Sequence, residues 1–181
     1  MNTRGFGGYM AQKLLILGAG IYGLVAKEVA ESMGCFDAIA FADDSKESPY
    51  GLPVVGATSD LPTLMKGYSH AFVAIGNPSV RAALLQALSE IPDCETATLI
   101  SPSAFVSPSA HLAEGVIVEP MALVHAACRL SRGCFVCAGA VMNHGSACGE
   151  CSQIDCNSTV AGFATVPPYT KVPCGAIKEK E

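Results

Sequence analysis

Basic residues are few and scattered. Eleven Lys and Arg stand against 16 Asp and Glu, a formal net charge of −5, with no Lys/Arg cluster along the 181 residues. That balance excludes nucleic acid or an anionic membrane surface as the main partner. No apolar run approaches the ~20 residues that a membrane-spanning helix needs. The first twelve residues lack the basic start and apolar core of a signal peptide, so Met1 to Gln12 is expected to be a loose tail and the protein cytoplasmic. Charged residues make up only 15% of the chain and apolar residues 50%, enough for a real core in one large domain or two small ones. Nine cysteines are present, and with no sign of secretion free thiols are the default.

What the chain has in plenty is a period of six. From Val106 onward every sixth residue is apolar or a thiol: Val106, Leu112, Val118, Val124, Leu130, Val136, Met142, Cys148, Ile154, Val160, Val166 and Val172. Two positions before each stands a small side chain, Val116 alone being larger. Neither 3.6 nor 2 explains this period, whereas a prism of short strands does, with one inward residue per face and a small residue near each corner. Residues 104–178 therefore read as a hexapeptide parallel β-helix of about four coils, with residues eighteen apart stacked at about 4.8 Å.

The stacking has consequences for charges and thiols. Glu114, Arg132 and Glu150 fall on one ladder of alternating sign, and Cys156 and Cys174 become stacked neighbours. Cys134-x-x-Cys137 and Cys148-x-x-Cys151 have a zinc-like spacing. The period, however, turns Cys148 inward and gives Cys134 a small-residue position, so no metal site is assigned.

Ahead of the repeat, residues 13–103 read as a small Rossmann-like βαβ domain. Lys13 to Leu17 is a buried strand ending in Gly18-Ala19-Gly20, and Ile21, Leu24, Val25 and Val29 share one face of the following helix. A glycine turn entering a helix lets the backbone approach a phosphate and offers free N–H groups. A second strand, Ala38 to Ala42, ends in Asp43-Asp44, about 25 positions beyond the first glycine and close to the usual place of a ribose-binding acid. Pro53 to Gly56 is a short extended piece, and Ser59-Asp60-Leu61-Pro62 opens a short helix. A strand over Ala71 to Ile75 leads to Gly76-Asn77-Pro78, where Asn77 is an N-cap and Pro78 the first helical residue. Val80, Leu84, Leu85 and Leu88 are expected to face inward, and Thr96 to Ile100 to form one more strand.

Of four histidines, His70 reads as structural and His111 as outward-facing. His125 stacks under Asn143, with His144 beside them at one corner of the prism. A histidine on a rigid outer face can take a proton from an amine or hydroxyl attacking a thioester, which makes His144 the candidate base.

The order of Gly18-Ala19-Gly20, Phe41-Ala42-Asp43-Asp44, Ala74-Ile75-Gly76-Asn77 with Arg81, Thr98-Leu99-Ile100-Ser101-Pro102-Ser103-Ala104, and Asn143-His144 resembles the bacterial nucleotide-sugar acetyltransferases that include sialic acid O-acetyltransferases and bacillosamine N-acetyltransferases. The resemblance spans nearly the whole chain. It implies a left-handed prism and a homotrimer with sites between subunits. It also implies direct N- or O-acetylation of a UDP-type nucleotide sugar, with acetyl-CoA as co-substrate and no metal. His144 matches the general base. Gly18, Ala19, Gly20, Asp43, Asp44, Gly76, Asn77 and Arg81 would hold the nucleotide sugar, and Gln153, Ala161 and Gly162 the coenzyme. Gly145 stands where the family usually has an acid after the base, Gln153 where a second histidine often meets the coenzyme, and Tyr22 where the turn often has a histidine. The alternative that Gly145 and the short end allow is a non-catalytic trimeric nucleotide-sugar-binding protein without acetyl-CoA binding.

Overall fold

The computed structural model describes residues 11–45, 47, 48 and 50–180, so most of the expected N-terminal tail lies outside the described residues. β1 (Lys13–Leu17) forms as expected: its last four residues are all buried, the mark of a parallel strand covered on both faces. α1 (Ile21–Met33) follows and stops at Gly34, which is left-handed. Its core face differs from the expected one. Gly23, Ala26, Val29 and Ala30 are buried, whereas Ile21 is 51% exposed. Small side chains bring this helix close to the sheet, and a search for large apolar residues overlooks them.

Next come β2 (Ala38–Ala42), β3 (Val54–Gly56), α2 (Leu61–Leu64), β4 (His70–Val73), α3 (Pro78–Ser89) and β5 (Glu95–Thr96). They complete a five-stranded parallel sheet in the order β3-β2-β1-β4-β5. The chain changes direction between β1 and β4, so the carboxyl ends of these two strands frame a crevice of the kind that holds ligands in open α/β sheets.

The strand expected over 96–100 is divided between two sheets. β5 pairs with β4, but β6 (Leu99–Ile100) pairs with Ile117–Val118 of the prism. The prism thus begins before Ala104. From β6, two-residue strands recur every six residues: β7 (Phe105–Val106), β8 (His111–Leu112), β9 (Ile117–Val118), β10 (Leu123–Val124), β11 (Arg129–Leu130) and β12 (Phe135–Val136). They continue as β13 (Val141–Met142), β14 (Ala147–Cys148), β15 (Gln153–Ile154), β16 (Thr159–Val160), β17 (Thr165–Val166), β18 (Lys171–Val172) and β19 (Ile177–Lys178). Fourteen strands on three faces make four coils and two further strands of a left-handed parallel β-helix. The expected spacing of eighteen holds throughout, as in Leu123 opposite Val141 and Val141 opposite Thr159.

In the strands from β6 to β18 the second residue points inward and the first outward. Val118, Val124, Leu130, Val136, Met142, Cys148, Ile154, Val160 and Val166 fill the interior, beside Ala122, Cys128, Cys134 and Ala140. On the face of β6, β9, β12 and β15 the outward residues Leu99, Ile117, Phe135 and Gln153 are also buried, because the α/β domain covers them. Phe135 stacks on Phe72 at 6.1 Å and meets Tyr22 at 5.9 Å. The face of β7, β10, β13, β16 and β19 is open, with Phe105 and Ile177 exposed.

Each corner from 115 to 175 has one residue in the left-handed region, again every six residues. Six of the eleven are not glycine: Met121, Ala127, Cys151, Asn157, Phe163 and Tyr169. From Gly133 onward the N–H of such a residue donates to a carbonyl one coil below, as from Gly145 to Ala126 O at 2.8 Å and from Phe163 to His144 O at 3.1 Å. These bonds stack the corners as the strands stack the faces. Of the expected charge ladder, Arg132 meets Glu114 at 3.5 Å, while Glu150 accepts from the Tyr169 hydroxyl at 3.2 Å. Among the described residues no helix is long and apolar enough to cross a membrane.

Candidate functional site

The glycine turn lies at the carboxyl end of β1. At Gly18, whose φ is +106°, a Cβ would stand 2.7 Å from Ile75 Cδ1 and 2.8 Å from Ala74 O, so glycine is what lets the two loops touch. The turn is held from several sides. Asp43 Oδ2 accepts from Ala19 N–H at 2.7 Å and Oδ1 from Ser45 N–H at 2.8 Å. Ser48 Oγ donates to Ala19 O at 2.6 Å. Asp44 Oδ1 accepts from the N–H and hydroxyl of Thr58 at 3.0 and 2.7 Å, and these bonds hold its carboxyl below the usual carboxylate range. Both acids at this strand end thus have protein partners, and Asp43 already occupies the Ala19 N–H that an anion would otherwise use. The first-turn donors beyond it, from Gly20 to Tyr22, have no side-chain cap.

Gly76 lies under the Tyr22 ring, where a Cβ would come within 2.8 Å of Cε2. Asn77 caps α3 as expected, its Oδ1 accepting from Ser79 and Val80 N–H at 3.0 and 3.1 Å. Arg81 departs from expectation. It is 1% exposed and donates through Nε to Gly133 O at 2.9 Å, through Nη1 to Ile75 O and Gly76 O at 2.5 and 3.3 Å, and through Nη2 to Cys151 O at 2.5 Å. Its guanidinium carbon lies 4.0 Å from the centre of the Phe135 ring. Every acceptor is a main-chain carbonyl, two from the crevice loop and two from prism corners, so Arg81 joins the domains and is not exposed to a substrate. The inward stripe of α3 is Arg81, Leu85 and Leu88, while Val80 is 45% exposed, against expectation. Spacings of four and three from Arg81 mark that stripe in the sequence.

Gln153 is also misplaced by the sequence reading. It is buried on the covered face, with Nε2 donating to the Tyr22 hydroxyl at 3.1 Å and to Cys137 Sγ at 3.5 Å. It closes the seam between the domains and does not line an open groove.

His144 stands elsewhere, exposed at the corner that follows the open face. Asn143 Oδ1 accepts from His144 N–H at 2.8 Å. The imidazole meets the Phe163 ring edge-on, centroids 5.0 Å apart, and the His125 ring at 6.1 Å. Ala161 and Gly162 lie on the same corner one coil later. A Cβ at Gly162 would stand 2.9 Å from His144 Cε1, so glycine lets the main chain lie against the imidazole. Ala161 N–H donates to Lys178 O at 2.9 Å, whereas Gly162 N–H has no acceptor among the described residues. Gly145, at φ +65°, would place a Cβ 2.6 Å from Phe163 Cδ1 and Cε1. The Phe163 ring therefore fills the space beside Gly145. Phe163 itself was overlooked in the sequence, although it lies eighteen residues after Gly145 and so stacks on it.

One chain thus brings His144, Ala161 and Gly162 together on the prism, and Gly18, Ala19, Gly20, Asp43, Asp44 and Gly76 together at the crevice. The ring contacts of His144 all come from the prism. All nine cysteines are free, and the two Cys-x-x-Cys pairs are split: Cys134 and Cys148 meet inside the prism, whereas Cys137 lies on the covered face against Gln153 and Cys151 packs beside the α/β domain.

Residues 13–88 match the family model of the PglD N-terminal domain. The acetyltransferase domain of PglB from Neisseria gonorrhoeae FA1090, solved in complex with acetyl coenzyme A, is 30% identical, with 93% of this chain and 82% of that one covered and a TM-score of 0.87. PerB from Caulobacter crescentus, solved with CoA and GDP-perosamine, is 27% identical over 93% of this chain and 91% of its own, with a TM-score of 0.77. WeeI from Acinetobacter baumannii AYE, 15% identical over 94% of this chain and 90% of its own, shares the fold at a TM-score of 0.64. A PglD-type domain in front and an acetyltransferase match that runs on through the prism leave one conclusion: the chain is an acyltransferase and belongs to the nucleotide-sugar acetyltransferase family.

Proposed function

We propose that the protein transfers the acetyl group of acetyl-CoA directly to an amine or hydroxyl of a nucleotide-linked sugar, with His144 as general base. The observation that carries this reading is the His144 corner, where an exposed imidazole lies against Gly162 on a rigid turn. When bound, acetyl-CoA supplies an activated acetyl thioester. The corner fits that co-substrate, because the main chain can lie this close to the imidazole only at a glycine, and its N–H is unused among the described residues. His144 takes the proton from the acceptor as it attacks. Gly162 N–H is the donor best placed to support the carbonyl oxygen as charge develops on it. Ala161 positions that turn through its bond to Lys178 O.

The α/β unit, from residue 13 to the start of the prism at β6, holds the nucleotide sugar, taken to be UDP-linked, in the crevice of Gly18, Ala19, Gly20 and Gly76. Since Asp43 occupies Ala19 N–H, the diphosphate falls to the N–H groups of Gly20, Ile21 and Tyr22. Asp43 and Asp44 shape the loop beside it. The prism carries out acyl transfer. A second copy of the chain brings its crevice to His144, and the open face of Phe105, Leu123, Val141, Thr159 and Ile177, apolar but for the threonine, supports a homotrimer. A cytoplasmic location suits the nine free thiols.

The test is release of free CoA thiol from acetyl-CoA in the presence of UDP- and GDP-linked amino sugars. Saturable turnover with one of them is expected. His144→Ala should lower it by about 10²- to 10⁴-fold while leaving the fold intact. Undiminished turnover in that variant would remove His144 as the base, and absence of acetyl-CoA binding by folded protein would overturn the whole reading.

A further inference from the structure

The corner between the covered and the open face carries a second group of ligand-bearing side chains that the proposed transfer does not use. Asp155 and Cys156 follow β15, and Cys174 follows β18 one coil later. A carboxylate oxygen of Asp155 and the two Sγ atoms lie within 4.8 Å of one another. The backbone beneath them is fixed, with Asp155 N–H donating to Val172 O, Gly175 N–H to Cys156 O, both at 3.0 Å, and Asn157 N–H to Ala138 O at 3.1 Å. Cys174 is exposed and the other two are half-buried, so a solute can reach all three.

We propose that Asp155, Cys156 and Cys174 bind a thiophilic divalent cation of the zinc class, with solvent in the fourth position. Two sulfurs and one carboxylate oxygen are a donor set for tetrahedral coordination, at about 2.3 Å for sulfur and about 2.0–2.2 Å for oxygen. Three donors already this close on a rigid corner need only a small contraction. The repeat produces the convergence by stacking residues eighteen apart, which the Cys-x-x-Cys pairs do not achieve. The groups facing the site are Lys171, whose Nζ lies 2.6 Å from Asp155 Oδ2, with Tyr22, Cys137 and Glu119 beyond it. Glu119 and Asp155 add negative charge that favours a cation, while Lys171 competes for the carboxylate.

The binding step balances without redox chemistry. Cys156 and Cys174 each lose one proton to solvent, two sulfur–metal bonds form, and the Asp155 carboxylate exchanges the Lys171 ammonium for the cation. Two protons leave per cation, so affinity rises about a hundredfold per pH unit below the thiol range. The cation would tie together the coils carrying β15 and β18; β18, like β17 and β19, pairs on one side only among the described residues.

The experiment is titration of the reduced, metal-free full chain with cobalt(II), followed by displacement with zinc(II). Expected are one cobalt per chain, a thiolate charge-transfer band with tetrahedral visible bands, and their loss on adding zinc. Cys156→Ser and Cys174→Ser should each weaken binding by more than the ~10- to 100-fold typical of losing a group that merely supports a ligand. Lys171→Met should strengthen it, and Cys35→Ser, which alters an exposed thiol outside the cluster, should leave it unchanged. No cobalt spectrum from folded protein, a spectrum that survives the double Cys156→Ser, Cys174→Ser change, or one lost with Cys35→Ser overturns the proposal.

Discussion

Two corners of the prism have the same backbone and different fates. At the corner of Gly133 and Cys151 the α/β domain closes over the turn, and Arg81 donates to both carbonyls. At the corner of Ala127, Gly145 and Phe163 no domain covers the turn among the described residues, and His125, His144 and Phe163 reach solvent. Both have left-handed residues bonded to the coil below. The repeat thus sets shape alone, and what lies outside each corner decides whether it joins domains or stays open to solvent. Burial pulls the Arg81 guanidinium pKa down from its ordinary value, yet arginine stays charged in proteins, so its four carbonyl acceptors matter.

The contrast is sharpest if the two corners respond oppositely to mutation. Arg81→Met should destabilise the protein by about 3–5 kcal/mol, because it removes a buried hydrogen-bonded charge and leaves carbonyls without donors; urea unfolding measures this. In the same assay His144→Ala should stay within about 0.5 kcal/mol of the parent, its effect confined to turnover. Equal losses of stability would erase the distinction. A smaller effect is expected at Gly145. Gly145→Ala forces a Cβ onto the Phe163 ring in a left-handed turn and should cost about 1–3 kcal/mol. The cost should shrink when Phe163→Ala is added, which a double-mutant cycle detects.

The smallest effect belongs to the Asp155 corner. Burial acts to raise the Asp155 pKa, but the Lys171 ammonium, the Cys156 N–H and the Cys174 thiol outweigh it and hold the carboxyl below its ordinary value. The unfolded chain therefore binds the proton more readily than the folded one. The resulting stability is present above the unfolded value of about 3.9 and is lost as pH falls through the folded value. Asp155→Asn should flatten that acid limb by about 0–1 kcal/mol, since Lys171 is largely solvated, with no change in slope near neutrality.

The prism was legible because a six-residue period has no competing reading, and a one-residue slip would turn every inward side chain outward. The seam was not. The resemblance implies that Arg81 and Gln153 are ligand contacts, yet their surroundings carry a different message. Gln153 continues the outward column of Leu99, Ile117 and Phe135, and such large apolar residues on an outer face mean that something covers it. The small residues of α1 carried the same message on the other side. The His144 corner lay between these cases: the period placed the histidine, but Phe163 came into view only through contact between successive coils.

The stacked left-handed corners give the prism a frame, much as codons give one to a message. Deleting one residue from a rung would put every later side chain out of phase, whereas deleting eighteen would remove one coil of about 4.8 Å and leave every later corner above its old column. Length can change safely only in whole coils, or by loops pushed out at a corner. His144 and Gly162 sit one such step apart, so inserting a whole coil between them would keep them on one column yet remove the contact between them.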